Sequence, residues 1–171
     1  PVGADSDDGV PRHLSHPLFR ENRVRFFVDA STWINYLENF DYCFGTRIHG
    51  NVAALLAGTP AHVLVHDSRT REIAEYFDIP HTRLGRPTES TDASMLLRQS
   101  DYGPLLRGHE SRFGVFVAFL ARHGLAHIHA RPATAVRFDE QLAGLSFPPP
   151  VEVITSVAPS ELVSRLRWLR D

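Results

Sequence analysis

Two side chains stand out for the chemistry they could do, Arg47 and His49, on either side of Ile48 in the stretch Cys43-Phe44-Gly45-Thr46-Arg47-Ile48-His49-Gly50. A guanidinium is a planar, bidentate fork for a carboxylate or a phosphate. An imidazole can donate to an anion or deliver a proton near neutral pH. A short apolar run ends at Gly45, and a helical Val52-Ala53-Ala54-Leu55-Leu56-Ala57 follows, so the pair sits at a strand-to-helix turn. Gly45 and Gly50 would allow a tight turn and close approach of a ligand to the backbone. The first N–H groups of the helix and its dipole add attraction for negative charge. Taken singly, an arginine at a strand end pairs with a surface acid, and a histidine at a helix start is a cap or a satisfied core residue. Together, beside two glycines, the residues Gly45, Thr46, Arg47, Ile48, His49 and Gly50 read as a site for one anionic ligand.

A second turn of the same kind reads His66-Asp67-Ser68-Arg69-Thr70-Arg71-Glu72. Asp67, Arg69, Arg71 and Glu72 could complete the anion pocket or orient His49, with Arg69 the favoured ligand contact. The structural alternative is a capping Asp or Ser and charge pairs three and four residues apart on a solvated helix. His127 and His129 could share one strand face, but no Cys or acidic cluster lies near them in sequence, and a metal site is not expected. His62 and His66 read as strand-end residues. Asp101, Tyr102 and His109 precede a long helix and could approach the cleft. The arginines of Arg165 to Arg170 read as a solvated helical face, and Trp33 and Trp168 as core anchors.

The elements that must position these side chains alternate. Strands are expected at 24–28, 41–46, 61–65 and 80–84. Helices are expected from Ser31 or Thr32 to about Asn39, over 50–57, and from Ser68 or Thr70 to Phe77. Gly58 and Pro60 terminate the second of these helices. Short apolar strands alternating with one-faced helices define an α/β fold with a parallel sheet, whose ligands bind at the carboxyl ends of the strands. Residues 1–22 read as a loose lead-in, and 23–171 as a single Rossmann-like domain. Residues 85–100 read as a polar connection around "RPTEST". Residues 109–125 read as an amphipathic helix with Phe113, Phe116, Val117 and Leu120 on its apolar stripe. A helix is expected over 136–143, and another from Pro159 with Leu162, Leu166 and Leu169 facing a core.

Composition bounds the function. The chain has 171 residues and a net charge of −2, so bulk attraction to nucleic acid or an anionic membrane is not expected. One cysteine, Cys43, excludes a disulfide framework within the chain and reads as a small buried hydrophobe. No apolar run is long enough for a membrane helix, and a cytoplasmic setting fits. The chain opens at Pro1 without a methionine, which is compatible with a piece of something longer.

The segment from Phe40 to Pro80 resembles the C-terminal half of the polysaccharide pyruvyl transferase family. That family shows a Gly-x-Arg-x-His-Gly turn, a helix of small residues, a Gly-x-Pro and an apolar strand ending in Asp. Here these are Gly45, Arg47, His49, Gly50, Gly58, Pro60 and Asp67. The likeness covers about residues 24–84, with a looser likeness from Glu110 to Gly124. It implies one of two Rossmann-like domains facing a cleft, similar to GT-B glycosyltransferases. It implies transfer of pyruvate from phosphoenolpyruvate to a sugar of a bacterial cell-surface polysaccharide, forming a ketal. No cofactor is implied beyond that donor substrate. The implied partners are phosphoenolpyruvate, a saccharide acceptor and an N-terminal domain of the same longer chain. Arg47 and His49 would take the donor positions. Arg69 stands near where many members carry a lysine. The alternatives are a non-catalytic anion-binding or interaction module of the same fold, and a sugar-nucleotide-dependent glycosyltransferase domain.

Overall fold

In the computed structural model, residues 11, 13–85, 92–130, 135–153 and 158–170 are described, and the chain divides into two units, 1–33 with 147–171 and 34–146. The element order is α1 (Pro17–Arg20), α2 (Ala30–Leu37), β1 (Cys43–Gly45), α3 (Ile48–Leu56), β2 (Ala61–Val65), α4 (Ser68–Phe77), β3 (His81–Arg83), α5 (Ala93–Gln99), α6 (Gly103–Arg122), α7 (Ala135–Ala143) and α8 (Pro159–Arg170), with a 3-10 turn at Ile128–Ala130.

The unit 34–146 carries a parallel sheet in the order β1-β2-β3, with Cys43 opposite Ala61 and Val63 opposite His81. Its central strand is buried at Ala61, His62, Val63 and Val65, as a strand covered on both faces must be. On one face Val63 and Val65 join Ile48, Ala74 and Ile79 in a core that Val52, Leu55, Ile73 and Leu105 flank. α3 and α4 pack there, and α5 also lies against β2. Residues alternate across a strand, so His62 faces away from Val63 and meets Ser100, just after α5. This is a Rossmann-like α/β arrangement, a three-stranded parallel sheet flanked by helices.

Local chemistry explains the boundaries. α4 begins at Ser68 because the Asp67 carboxylate accepts from the Thr70 N–H at 2.6 Å. α3 ends because Gly58 takes a φ of +81°, letting the Thr59 N–H reach the Ala54 carbonyl at 2.9 Å. A Cβ at Gly58 would meet nothing within 4 Å, so only backbone conformation opposes a side chain there. Gly58→Ala is therefore expected to lower the unfolding free energy by about 1 kcal/mol, read from urea melts. An unchanged midpoint would show that the turn relaxes away from positive φ.

Several expectations need correcting. Residues 24–28 do not form a strand: only Phe26 pairs, in an isolated antiparallel bridge to Val151. The connection over 85–100 contains α5, which the Asp92 carboxylate caps through the Met95 N–H at 2.7 Å. Residues 86–91, most of "RPTEST", lie outside the described residues, as do 1–10 and 12 of the lead-in. The lead-in also contains the single turn of α1. The long helix starts at Gly103 rather than His109, with Pro104 in its first turn, where its missing N–H costs nothing. Its apolar stripe is not a core face throughout: Phe113 and Phe116 are exposed, whereas Val117 and Leu120 are half-buried. His127 and His129 lie at a 3-10 turn, not on a strand. In α8 Leu162 is half-buried and Leu166 exposed. The side chains of Arg165, Trp168, Leu169 and Arg170 lie outside the described ones.

The unit 1–33 with 147–171 is held by the Phe26–Val151 bridge and by polar contacts around Glu152. Asn22 Nδ2 donates to its carboxylate at 2.8 Å, and Arg25 lies 3.3 Å from it. Phe27 and Trp33 stack with centroids 5.8 Å apart. No described helix is long and apolar enough to cross a membrane.

Candidate functional site

All three strands run the same way, so the ends of β1, β2 and β3 share one edge of the sheet. That edge carries the residues singled out from the sequence. Gly45 closes β1, Thr46 follows, and Arg47 is the N-cap residue of α3 in extended conformation. Its side chain makes no capping bond. Ile48 is buried in the core, whereas Arg47 and His49 are exposed on either side of it. Among the described residues neither Arg47 nor His49 has an ion-pair or side-chain hydrogen-bond partner. The N–H groups of Gly50 and Asn51 turn back to the Arg47 carbonyl, at 3.1 and 3.4 Å. Those of Ile48 and His49 have no acceptor among the described residues. Ile48 thus anchors a turn that exposes a guanidinium and an imidazole beside helix-start N–H groups that have no acceptor among the described residues.

The glycines act differently from expectation. Neither Gly45 nor Gly50 takes a positive φ. Gly50 lies in the first turn of α3, and a Cβ at Gly45 would meet nothing within 4 Å. Gly45 leaves open space rather than permitting a strained turn.

At the ends of β2 and β3 a cleft of about 360 Å³ is lined by His66, Asp67, Ser68, Arg71 and Arg83 among others. Asp67 spends one oxygen on capping α4, and the other lies 3.4 Å from His66 Nε2. Hydrogen bonds from Thr70, its hydroxyl first and its N–H second, hold the Asp67 carboxyl below the usual range. Arg71 pairs with Glu75 at 3.7 Å, along the helix. Arg69 is exposed at the start of α4 and does not line this cleft. Sequence reasoning placed Arg83 within the expected strand 80–84 but did not single it out, because only the pairing of Val65 with Arg83 shows that it reaches this edge.

The residues expected to approach the cleft from before the long helix lie elsewhere: the Tyr102 hydroxyl donates to the Ala61 carbonyl at 3.3 Å, at the start of β2. Asp101 lines a different cleft, about 530 Å³, with His62, Pro80 and His81 at the amino ends of β2 and β3. His109 lies in an apolar groove between α4 and α6 with Phe77 and Phe113. Cys43 is half-buried in β1, where burial raises its thiol pKa. Among the described residues no group of three or more His, Cys, Asp or Glu is arranged to hold a metal.

Sequence reasoning also missed Asn51. It is 1% exposed, and its side-chain amide donates to the carbonyls of Gly45 at 3.1 Å and Arg47 at 3.0 Å. The only signal was a polar residue inside an otherwise apolar helix.

The fold and this edge define a class: a Rossmann-like domain with a polar, anion-suited turn at the carboxyl ends of its strands. Residues 2–68 match the model of the polysaccharide pyruvyl transferase family, which supports the assignment suggested by the Gly45–Pro60 pattern. The family's name makes it a family of transferases. The match begins well before residue 24 and stops at Ser68, so it includes the turn and Asp67 but not Arg69 or the helix from Glu110. No curated protein and no solved structure matches the chain.

Proposed function

We propose that this chain provides the donor-binding part of a pyruvyl transferase that moves pyruvate from phosphoenolpyruvate to a sugar of a bacterial cell-surface polysaccharide, in the cytoplasm. Arg47 holds an oxyanion of the donor, assisted by the N–H groups of Ile48 and His49. His49 gives a proton to the methylene carbon. A sugar hydroxyl oxygen bonds to C2 and its proton restores the imidazolium. A second hydroxyl then bonds to C2 as phosphate departs with the C–O electron pair and that hydroxyl's proton. Gly45, Thr46 and Gly50 shape the turn, and Asp67 and Arg69 assist at the neighbouring strand end. The acceptor contacts belong in part to a second Rossmann-like domain of a longer chain, as in a GT-B arrangement.

One observation carries this reading. An exposed arginine and histidine, without side-chain partners among the described residues, flank a buried isoleucine inside the segment that matches the family model. The test is a titration of the chain with phosphoenolpyruvate followed by amide NMR. Shifts centred on Thr46 to Gly50 are expected. Shifts confined to other surfaces, or none, would leave the non-catalytic module as the better reading. Displacement by a nucleotide sugar but not by excess phosphate would favour the glycosyltransferase alternative.

A further inference from the structure

We infer that Asn51 is a positioning residue for the turn that carries Arg47 and His49; its place in donor binding rests on the reading above. A buried asparagine in a helix is costly unless its amide is satisfied. Asn51 does not cap its helix. Its Nδ2 reaches back over four and six residues to the Arg47 and Gly45 carbonyls, at 3.0 and 3.1 Å. These two acceptors bracket Thr46, the residue that leads from β1 into the turn. One NH₂ group has two protons, and each is committed to one of them. The orientation of the amide is thereby fixed, with Oδ1 buried and unpartnered among the described residues.

The arrangement divides the labour at this edge. Arg47 sits where a Ser, Thr, Asp or Asn would ordinarily cap the helix, and its side chain caps nothing. Asn51 holds the backbone from inside, so the Arg47 and His49 side chains stay free of structural bonds. Ile48 is pinned by the core and Gly45 by the β1–β2 pairing. Asn51 ties the two anchors together. Without it, the Gly45 carbonyl loses this donor, the Arg47 carbonyl keeps only the Gly50 and Asn51 N–H groups, and the link between the two is gone, so the turn between the anchors can rotate, carrying the guanidinium with it. Displacement of a binding group by about 1 Å is enough to cost on the order of a hundredfold in a well-fitted site.

The test compares Asn51→Ala and the isosteric Asn51→Asp with Val52→Ala, which trims the adjacent core contact without touching the turn. Thermal midpoint and phosphoenolpyruvate dissociation constant are measured for each. The expected result is a loss of affinity of at least about tenfold in both Asn51 variants, beyond that of Val52→Ala at comparable stability. Unchanged affinity in the Asn51 variants, or a loss matched by Val52→Ala, overturns the positioning role. Should the unmodified chain not bind phosphoenolpyruvate, the donor reading fails and the turn itself decides. Amides of Gly50 and residue 51, which bond to the Arg47 carbonyl that Asn51 holds, should then exchange at least about tenfold faster in Asn51→Asp, a conservative threshold for losing two buried bonds. Unchanged exchange overturns the inference. If neither variant folds, the side-chain amide protons of Asn51 in the unmodified protein are the readout. Slow exchange relative to the other Asn and Gln side chains supports the clamp, and ordinary exchange overturns it.

Discussion

Replacing Arg47 with alanine is expected to raise the dissociation constant for phosphoenolpyruvate by about 30- to 150-fold, corresponding to the roughly 2–3 kcal/mol typical of a charge-assisted bidentate contact. The fold should not notice. Arg47 is exposed, makes no capping bond, and its side chain is unpaired among the described residues, so its truncation should change unfolding free energy by less than about 0.5 kcal/mol. The contrast between these effects is the point, because a structural arginine would show the reverse. Arg47→Lys should recover only part of the affinity, since an ammonium keeps the charge but not the planar fork. The contact is open to water, so binding should also weaken as salt rises. Calorimetry on the unmodified chain and the two variants at two ionic strengths decides it. Equal affinities for the unmodified chain and Arg47→Ala would remove this side chain from the donor site and, with it, most of the case for pyruvyl transfer.

The parts of this molecule legible in its sequence were those written in local chemistry. β2 and α4 fall where an apolar run lies between Pro60 and the Asp67 cap, and α3 stops where Gly58 can turn. The Arg47–His49 turn was legible for the same reason: strand, cap and helix are neighbours in sequence. What was hidden depends on contacts between residues far apart, or on signals that imitate others. α5 lay behind a Pro- and Ser-containing tract that reads as loop. Phe26 looked like part of a strand because apolar runs do not state whether a partner exists; it pairs with Val151, at the other end of the chain. The phenylalanines of α6 fit a helical stripe, but periodicity cannot say that Phe113 and Phe116 stay exposed. Asn51 and His62 were the least legible. Each is a polar residue in an apolar element, and only the geometry shows what each one holds.

His62 carries the second large expectation, on stability. It is 2% exposed in the middle strand, and both ring nitrogens are occupied: Nδ1 lies 2.9 Å from Ser100 Oγ and Nε2 2.9 Å from Thr82 Oγ1. The Ser100 hydroxyl donates its one proton to the Leu96 carbonyl at 2.8 Å. Proton counting then assigns the proton of the neutral ring to Nδ1, which donates to Ser100, while Nε2 accepts from Thr82. One imidazole thus joins β2, β3 and the end of α5. His62→Ala should cost about 2–4 kcal/mol, by opening a cavity and leaving both hydroxyls without that partner. The same burial, with the nearby His81 charge, holds the His62 pKa below that of a free histidine. The folded state therefore resists a proton that the unfolded chain accepts below about pH 6.5. Its contribution is fully present above that pH and is lost as pH falls toward the lower folded value, at up to about 1.4 kcal/mol per pH unit. The carboxyls held low by caps, Asp67 and Asp92, titrate beneath this window. Urea unfolding between about pH 7.5 and 5 should show the decline in the unmodified protein and a flatter profile in His62→Gln, which keeps a polar side chain but cannot titrate. An equal slope in both proteins would mean that the acid sensitivity belongs to other groups and that His62 is held by packing alone.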